Sequence, residues 1–483
     1  MIRPAALAYV LGQFLIVLGA TMLVPLALAL FSNDDDIRPM AWAFLITFGA
    51  GAALVTGCER PKSELSLREG LMLVTVVWLC ACLFGCLPFH FSGQFPTFTD
   101  ALFEATSGFT TTGATVLADV EVLSRSVQFW RHFSHWLGGM GIVLLGVAIL
   151  PLIGLGGMHL YRAEFSGAKS EKLKPRITET ALSLWKIYFG LSFAEYIALR
   201  AAGMDTFEAV CHTMSTLGTG GFSTRTASVG GFDSPAIEWI IIVFMILAGI
   251  NFTRHYRLWV EHDTGSFFRD AEVRTYLMLI FGASLLIFTS LLLQGGNHTG
   301  TALRAAVFQV TSIVTTTGFA TADYELWLPL PQLILLFLMF SGGCTGSTSG
   351  GLKVARFMLL GQVVTREFKR MVERRGVFAV RLGAHVIPEA TIQRFLNLLY
   401  LAFLVNAASC LALAAMGVDI LTSIAAVIAC MFNIGPGLGE VGPADNYGHM
   451  PLAAKWVLSA CMIGGRLEFY TALVILTPAF WRK

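Results

Sequence analysis

Ten apolar runs in this chain are long enough to cross a bilayer, and this limits the fold before any motif is considered. They lie near 5–31, 39–57, 68–90, 127–155, 180–202, 235–253, 273–294, 329–361, 391–416 and 452–478. A helix needs about 20 predominantly apolar residues to span the hydrocarbon core, and backbone polar groups in lipid must be satisfied within the segment. The expected fold is therefore an all-α polytopic membrane protein with ten transmembrane helices. The runs are too long for the roughly ten-residue alternating strands of an outer-membrane barrel. Composition points the same way: 55% of the 483 residues are hydrophobic and only 13% are charged, against about 25% charged in soluble domains. With 33 Lys+Arg against 31 Asp+Glu, the chain has no basic excess for a nucleic-acid partner. The stretch Met1–Leu30 is too long and too weakly charged at its start for a cleaved signal peptide, and reads as the first membrane helix. The nine cysteines mostly sit inside apolar runs without CxxC spacing, which suits small core residues rather than a disulfide framework.

An even number of spans puts both termini on one side, and the basic residues choose it. Arg3, Arg60, Lys62, Arg68, Arg162, Lys169, Lys172, Lys174, Arg176, Arg254, Arg257, Arg269, Arg274, the basic segment 353–394, Arg482 and Lys483 share a side. The positive-inside rule makes that side cytoplasmic. The acidic turn Asn33-Asp34-Asp35-Asp36 falls on the other.

Four of the outward connections are not ordinary loops. The stretches 97–115, 205–224, 301–321 and 419–442 each open with an apolar segment too short to span, then reach a glycine-containing tail. The tails read Thr110-Thr111-Thr112-Gly113, Gly218-Thr219-Gly220-Gly221, Thr315-Thr316-Thr317-Gly318 and Phe432-Asn433-Ile434-Gly435. Sixteen residues before Gly113, Gly221 and Gly435 stand Thr97, Asp205 and Asp419, each a good helix cap; Thr301 stands seventeen before Gly318. The common plan of spanning helix, capped half-helix, glycine segment and spanning helix predicts four pseudo-repeats around one central pore. The boundaries are 1–62 for two extra N-terminal helices, then 63–160, 161–262, 263–375 and 376–483 for the repeats.

Non-helical backbone at membrane depth is tolerated only in protein or against a watery cavity. Four such segments on one axis place rings of carbonyl oxygens where they can replace a cation's hydration shell. The ion-binding positions expected on this plan are Thr111, Thr112 and Gly113; Thr219, Gly220 and Gly221; Thr316, Thr317 and Gly318; and Asn433, Ile434 and Gly435. Either Gly220 or Gly221 suits the second filter glycine, and repeat alignment favours Gly221. Half-helices ending at the axis add partial negative charge suited to a cation.

At this point the chain resembles the membrane subunits of Trk-type potassium uptake systems, in the Trk/Ktr/HKT superfamily. The resemblance is carried by the run Thr106–Ala114, by His135-Trp136-Leu137-Gly138-Gly139-Met140-Gly141, by Thr315–Phe319, by Phe432–Gly437 and by Gly465-Arg466-Leu467-Glu468, and it covers nearly the whole chain. It implies a single-chain pseudo-fourfold pore for potassium in a bacterial inner membrane. In the family a glycine in all four filter segments goes with potassium selectivity, and serine in the first with sodium permeation. The full TVGYG of potassium channels is absent from every copy, so looser selectivity is expected. The resemblance also implies a homodimer and a separate cytoplasmic nucleotide-binding regulatory subunit. Potassium is the transported ion; no organic cofactor is expected on this chain.

The run 329–361 is interrupted by Ser341–Gly351, whose Gly342, Gly343, Gly346, Gly350 and Gly351 cost about 1 kcal/mol each in a helix. This reads as an intramembrane loop that blocks and releases ion flow, with a plain kink as the alternative. No strand precedes these glycines, so they are not a dinucleotide loop. Arg466 lies inside the last apolar run, where insertion costs about 2.5–3.5 kcal/mol or more. It must face the pore or a partner, repelling a resident cation or latching the loop; binding to helix-end carbonyls is the alternative. Glu468 is not its obvious partner. Asp100, Glu104 and Glu208 either attract cations to the outer mouth or hold the half-helices. His132 and His135 share a helix face without a third metal ligand, and Lys186 suits a snorkelling role. The basic segment Arg366–Arg375 suits anionic lipid or a cytoplasmic partner. A gated pore is the leading function. A secondary transporter with midplane half-helix sites fits less well, because such folds usually repeat in inverted rather than parallel sense, and symport against channel-like movement stays open. An enzyme is not expected, since HExxH, GxSxG and a carboxylate dyad are all missing.

Overall fold

The structure, a computed structural model, describes residues 2–61, 63, 65–153, 177–294, 298–382 and 385–482. The basic residues Arg162, Lys169, Lys172, Lys174 and Arg176, together with Lys62, Lys483 and the boundary at 160/161, lie outside the described residues. Among the described residues the regular structure is helical, apart from a small hairpin pairing Arg381–Leu382 with His385–Val386 and an isolated bridge between Ser341 and Leu352.

Two long helices, Pro4–Ser32 and Ile37–Gly57, form an N-terminal pair. The first starts with proline, whose missing N–H costs nothing in the first turn, and ends at left-handed Asn33. Gly12 and Gly51 let the two backbones approach, since a Cβ on either would meet the other's carbonyl oxygen at 2.8 Å. The acidic turn between the helices docks on the next unit. Asp34 accepts from the Ser126 hydroxyl at 2.9 Å, and Asp36 accepts from Gln94 and Ser124.

The third helix opens with a Ser66–Glu69 capping box, and Arg3 ties the N-terminus to Glu69 at 2.9 Å. It breaks after Gly85, ahead of Pro88, and Trp130 Nε1 donates to the Gly85 carbonyl at 2.9 Å. Five described helices are long and apolar enough to cross a membrane: Pro4–Ser32, Ile37–Gly57, Arg68–Ser92, Ala271–Gln294 and Glu389–Ala415. The bent pair Pro235–Ala248 and Phe252–Trp259 makes a sixth if it is one span. The difference from ten has local causes. Ile177–Ala201 is 25 residues long but carries Lys186 and Glu195, whereas Arg125–Ile153 is 29 residues long and its second half, Trp136 onward, is an uncharged apolar stretch. Pro329–Leu338 and Leu452–Arg466 have only 10 and 15 residues.

Four short helices alternate with these: Phe98–Phe109, Thr206–Leu217, Thr299–Val314 and Ile420–Met431. The 12-residue members reach only about 18 Å at 1.5 Å per residue. Thr97 caps the first by accepting from Asp100 N–H, Asp205 the second through Phe207 N–H, and Asp419 the fourth through Thr422 N–H. The Phe207 N–H holds the Asp205 carboxyl below the usual carboxylate range. The third departs from expectation. It has 16 residues, starts at Thr299 after His298, and places Thr301 inside its first turn rather than at the cap.

Two further helices end earlier than their apolar runs. The run 235–253 turns by 99° after Ala248, because the Ser341–Gly351 loop takes backbone partners there: Cys344 N–H donates to Gly249 O at 2.8 Å, and Phe252 N–H donates to Gly346 O at 3.1 Å. Inserted polar groups of this kind break a helical ladder. The run 452–478 stops at Arg466, and Glu468 and Phe469 follow at φ 53° and 55°. Arg466 is thus a helix-terminal residue, not a mid-helix one.

Candidate functional site

Each short helix ends in the same way. The N–H groups of Thr112, Gly220, Thr317 and Ile434 donate five residues back, to Ser107, Ser215, Ser312 and Ala429, at 2.8–2.9 Å. This is the Schellman closure, which requires a left-handed residue just past the helix. That residue is Thr111, Thr219, Thr316 or Asn433, at φ 54°, 53°, 56° and 56°. A β-branched residue there is a true outlier, and strain of this kind clusters at functional sites. Asn433 tolerates the left-handed region better than threonine, which accounts for the one copy that departs from the Thr pattern.

Two residues on, Gly113, Gly221, Gly318 and Gly435 are also left-handed, at φ 80°, 80°, 79° and 96°. Gly221, not Gly220, is the glycine that matches the other three. Between each left-handed pair stands a residue of negative φ. Alternating the hand of successive residues turns successive carbonyls to one side, whereas an extended strand would alternate them.

The four segments also touch in sequence. A Cβ on Gly113 would strike the Gly220 carbonyl oxygen, one on Gly221 that of Thr317, one on Gly318 that of Ile434, and one on Gly435 that of Thr112. The fourth contact returns to the first, so the segments close into a ring. Asn433 reinforces the closure, its Nδ2 donating to Thr112 Oγ1 and to Met462 O, both at 3.0 Å.

The loop between Pro329–Leu338 and Val354–Val372 lies against the end of this ring where the short helices stop. Its neck is closed by Gly342 N–H donating to Leu352 O at 2.8 Å. Gly350 N–H donates to Thr316 Oγ1 at 2.6 Å, and Thr348 Oγ1 donates to Leu217 O at 3.0 Å. Gly343 abuts Gly249, Gly350 abuts Phe432, and Gly346 and Gly351 are left-handed. Arg466, 4% exposed, reaches across: Nη1 donates to Thr348 O at 3.0 Å and Nη2 to Gly138 O at 3.2 Å. One of these carbonyls belongs to the loop and the other lies within the helix Arg125–Ile153, so neither is a helix-end carbonyl. Lys353 Nζ donates to the Ser349 carbonyl, and Glu272 accepts from Thr345 N–H at 2.6 Å. Glu468 pairs instead with Arg356 at 2.5 Å.

The acidic residues of the first short helix are occupied. Asp100 holds Lys455 at 2.6 Å, both about 5% exposed. Glu104 holds Arg131 at 2.8 Å, at 0% and 1% exposure, and also accepts from Val116 N–H at 3.1 Å. These carboxylates therefore fasten the half-helix and its exit strand rather than face an approaching ion. Glu208 pairs with Arg225 at 2.8 Å, nearer the surface. His132 and His135 both reach Ser215 Oγ through Nδ1, at 2.7 and 3.1 Å. Lys186 is exposed.

The ion pairs of Arg131 and Lys455 went unread in the sequence. Their signal was available, because a charge inside an apolar run demands a partner, but the partner lies far along the chain. Glu104→Ala should leave Arg131 buried without its counter-charge, at roughly 3–5 kcal/mol. The expected result is a clearly lower thermal midpoint for the detergent-solubilised protein; an unchanged midpoint would show that the pair does not hold the half-helix.

Comparison with known proteins agrees with this architecture. A family described as "Cation transport protein", TrkH, matches residues 38–483. The Trk system potassium uptake protein TrkH of Escherichia coli K12 is 42% identical over 99% of both chains. The Trk system potassium uptake protein TrkI of Halomonas elongata is 34% identical over 100% of this chain and 98% of its own. The crystal structure of the potassium transporter TrkH from Vibrio parahaemolyticus superposes with a TM-score of 0.90 at 38% identity, covering both chains fully. A multi-pass helical chain with this match over nearly its full length is a transporter and not an enzyme, and it belongs to the TrkH family of cation transport proteins.

Proposed function

We propose that this chain takes up potassium across a bacterial cytoplasmic membrane, through a pore lined by backbone carbonyls from four repeats on one axis. The observation that carries the reading is the cyclic contact of Gly113, Gly221, Gly318 and Gly435 with the neighbouring segments' carbonyls. Four strands of carbonyls around a common axis can replace potassium's hydration shell. The relatives named as Trk system potassium uptake proteins support the choice of ion. Filter positions are Thr111–Gly113, Thr219–Gly221, Thr316–Gly318 and Asn433–Gly435.

On this reading the chain spans ten times with both termini cytoplasmic, as an N-terminal pair (1–62) and repeats 63–160, 161–262, 263–375 and 376–483. The interrupted runs 235–253, 329–361 and 452–478 each count as one span. Gly342, Gly343, Gly346, Gly350 and Gly351 form the gate, and Arg466 latches it through Thr348. A homodimer in the lipid bilayer and a cytoplasmic nucleotide-binding subunit complete the assembly, the latter docking on the basic face around Arg366–Arg375.

Rubidium uptake into proteoliposomes, with potassium, sodium and choline as competitors, tests this. Potassium is expected to block at much lower concentration than sodium, and choline not at all. Equal block by sodium and potassium removes the potassium filter. Repeating the uptake with an imposed proton gradient separates symport from downhill movement.

A further inference from the structure

The four copies stiffen the backbone behind the ring in different ways. In the first, Thr110 Oγ1 and Thr112 Oγ1 are hydrogen bonded at 2.8 Å; in the third, Thr315 Oγ1 and Thr317 Oγ1 repeat that bond at 2.8 Å. In the fourth, Phe432 and Ile434 fill the same two places with buried apolar bulk. In the second, both places are glycine: Gly218 and Gly220. Yet the Gly220 carbonyl is the ring oxygen that faces Gly113, and neither of these two places carries a side chain to brace it.

His135 occupies that space from another element, the helix Arg125–Ile153. A Cβ on Gly220 would fall on the His135 ring, meeting Cγ, Nδ1 and Cε1, and a Cβ on Gly218 would lie 2.6 Å from the His135 carbonyl oxygen. The ring is fixed on further sides. It stacks on Phe222 at 4.0 Å between centroids and 16° between planes. Its Nδ1 meets Ser215 Oγ at 3.1 Å, and Ser215 O is the acceptor for Gly220 N–H at 2.9 Å. The Arg131 guanidinium, pinned by Glu104, sits 4.1 Å over Phe222. His135 is itself fully buried. Gly220 has negative φ, so its backbone would accept a side chain, and the atoms nearest to one are those of the His135 ring.

We propose that His135 is a positioning residue for ion selectivity. It supplies, from the first repeat, the packing that the Thr–Thr pair supplies in copies one and three, and so fixes the Gly220 carbonyl in the ring. The proposal rests on the pore reading above. Small displacements of a positioning group lower discrimination steeply, because a ring of carbonyls discriminates by its geometry and field.

The test uses the full chain in proteoliposomes and reads the ratio of sodium to potassium concentrations that half-block rubidium uptake. His135→Ala should lower this ratio roughly tenfold while uptake persists. Gly220→Thr in the His135→Ala background fills the vacated space from the segment itself and should restore most of the ratio. A ratio for His135→Ala equal to the parent's, or no gain in the double variant, overturns the proposal. If His135→Ala does not accumulate in the membrane, His135→Phe and His135→Asn carry the test: the flat ring should discriminate several-fold better, and equal ratios overturn the proposal. A parent with no preference for potassium overturns the filter itself, which distinguishes that failure from this one.

Discussion

Gly113→Ser is expected to strip the protein of most of its preference for potassium over sodium while leaving rubidium uptake measurable. Two effects act together. Gly113 stands at φ 80°, where a side chain costs about 1–2 kcal/mol. Its Cα also faces the Gly220 carbonyl so closely that any Cβ would strike that oxygen. The serine must therefore displace either its own segment or the neighbouring ring oxygen. Because the segments touch cyclically, the disturbance reaches Thr112 and Gly435 as well. A loss of roughly tenfold or more in the half-block ratio is expected, equivalent to about 1.4 kcal/mol. Competition identical to the parent's would remove Gly113 from the filter.

Arg466→Ala is expected to raise rubidium uptake by the chain alone, without any cytoplasmic partner, by roughly tenfold, or about 1.4 kcal/mol in the balance between shut and open. The guanidinium bridges the loop carbonyl of Thr348 and the Gly138 carbonyl of the neighbouring helix. Its removal frees the loop on one side and takes a buried positive charge from the end of the ring where the short helices stop. Arg466→Lys keeps the charge but loses the planar fork that serves two carbonyls at once, so its uptake should fall between parent and Ala. If the loop is the gate, as proposed, deleting part of 342–350 should raise uptake too. If neither the deletion nor Arg466→Ala exceeds the parent, the loop is not the gate.

The two outcomes are separable. A selectivity variant changes the half-block ratio with modest change in total flux, and a gate variant does the reverse. Gly350 N–H donates to Thr316 Oγ1, so loop and ring meet at one hydroxyl, and some leakage between the two readouts is expected at that residue alone.

How much of this was legible in the sequence follows from the range of the physics involved. Apolar runs, caps and glycines speak through interactions within a few residues. Thr97, Asp205 and Asp419 cap their helices because a side-chain oxygen two or three residues away meets a free N–H. The tail glycines Gly113, Gly221, Gly318 and Gly435 recur because each takes a left-handed φ that glycine adopts without a steric penalty. The third cap was misplaced by three residues, at Thr301 instead of His298, and the seventeen-residue offset of Thr301 was its warning. Breaks after Ala248 and Arg466 were invisible for a different reason. Apolar residues resume beyond each break, and what ends the first helix is a loop arriving from residues 344–346.

By itself, then, the sequence determined a helical membrane protein, four short helices, three of their caps and the glycines that follow them, because bilayer thickness and local backbone sterics act on neighbours in the chain. Only the tertiary structure decided which charges neutralise each other, as with Arg131 and Glu104 or Lys455 and Asp100. It alone decided that the four segments close on one another, and that His135 stands where the second segment has no side chain. These depend on which surfaces meet across tens to hundreds of residues, and no local pattern encodes a partner at that distance.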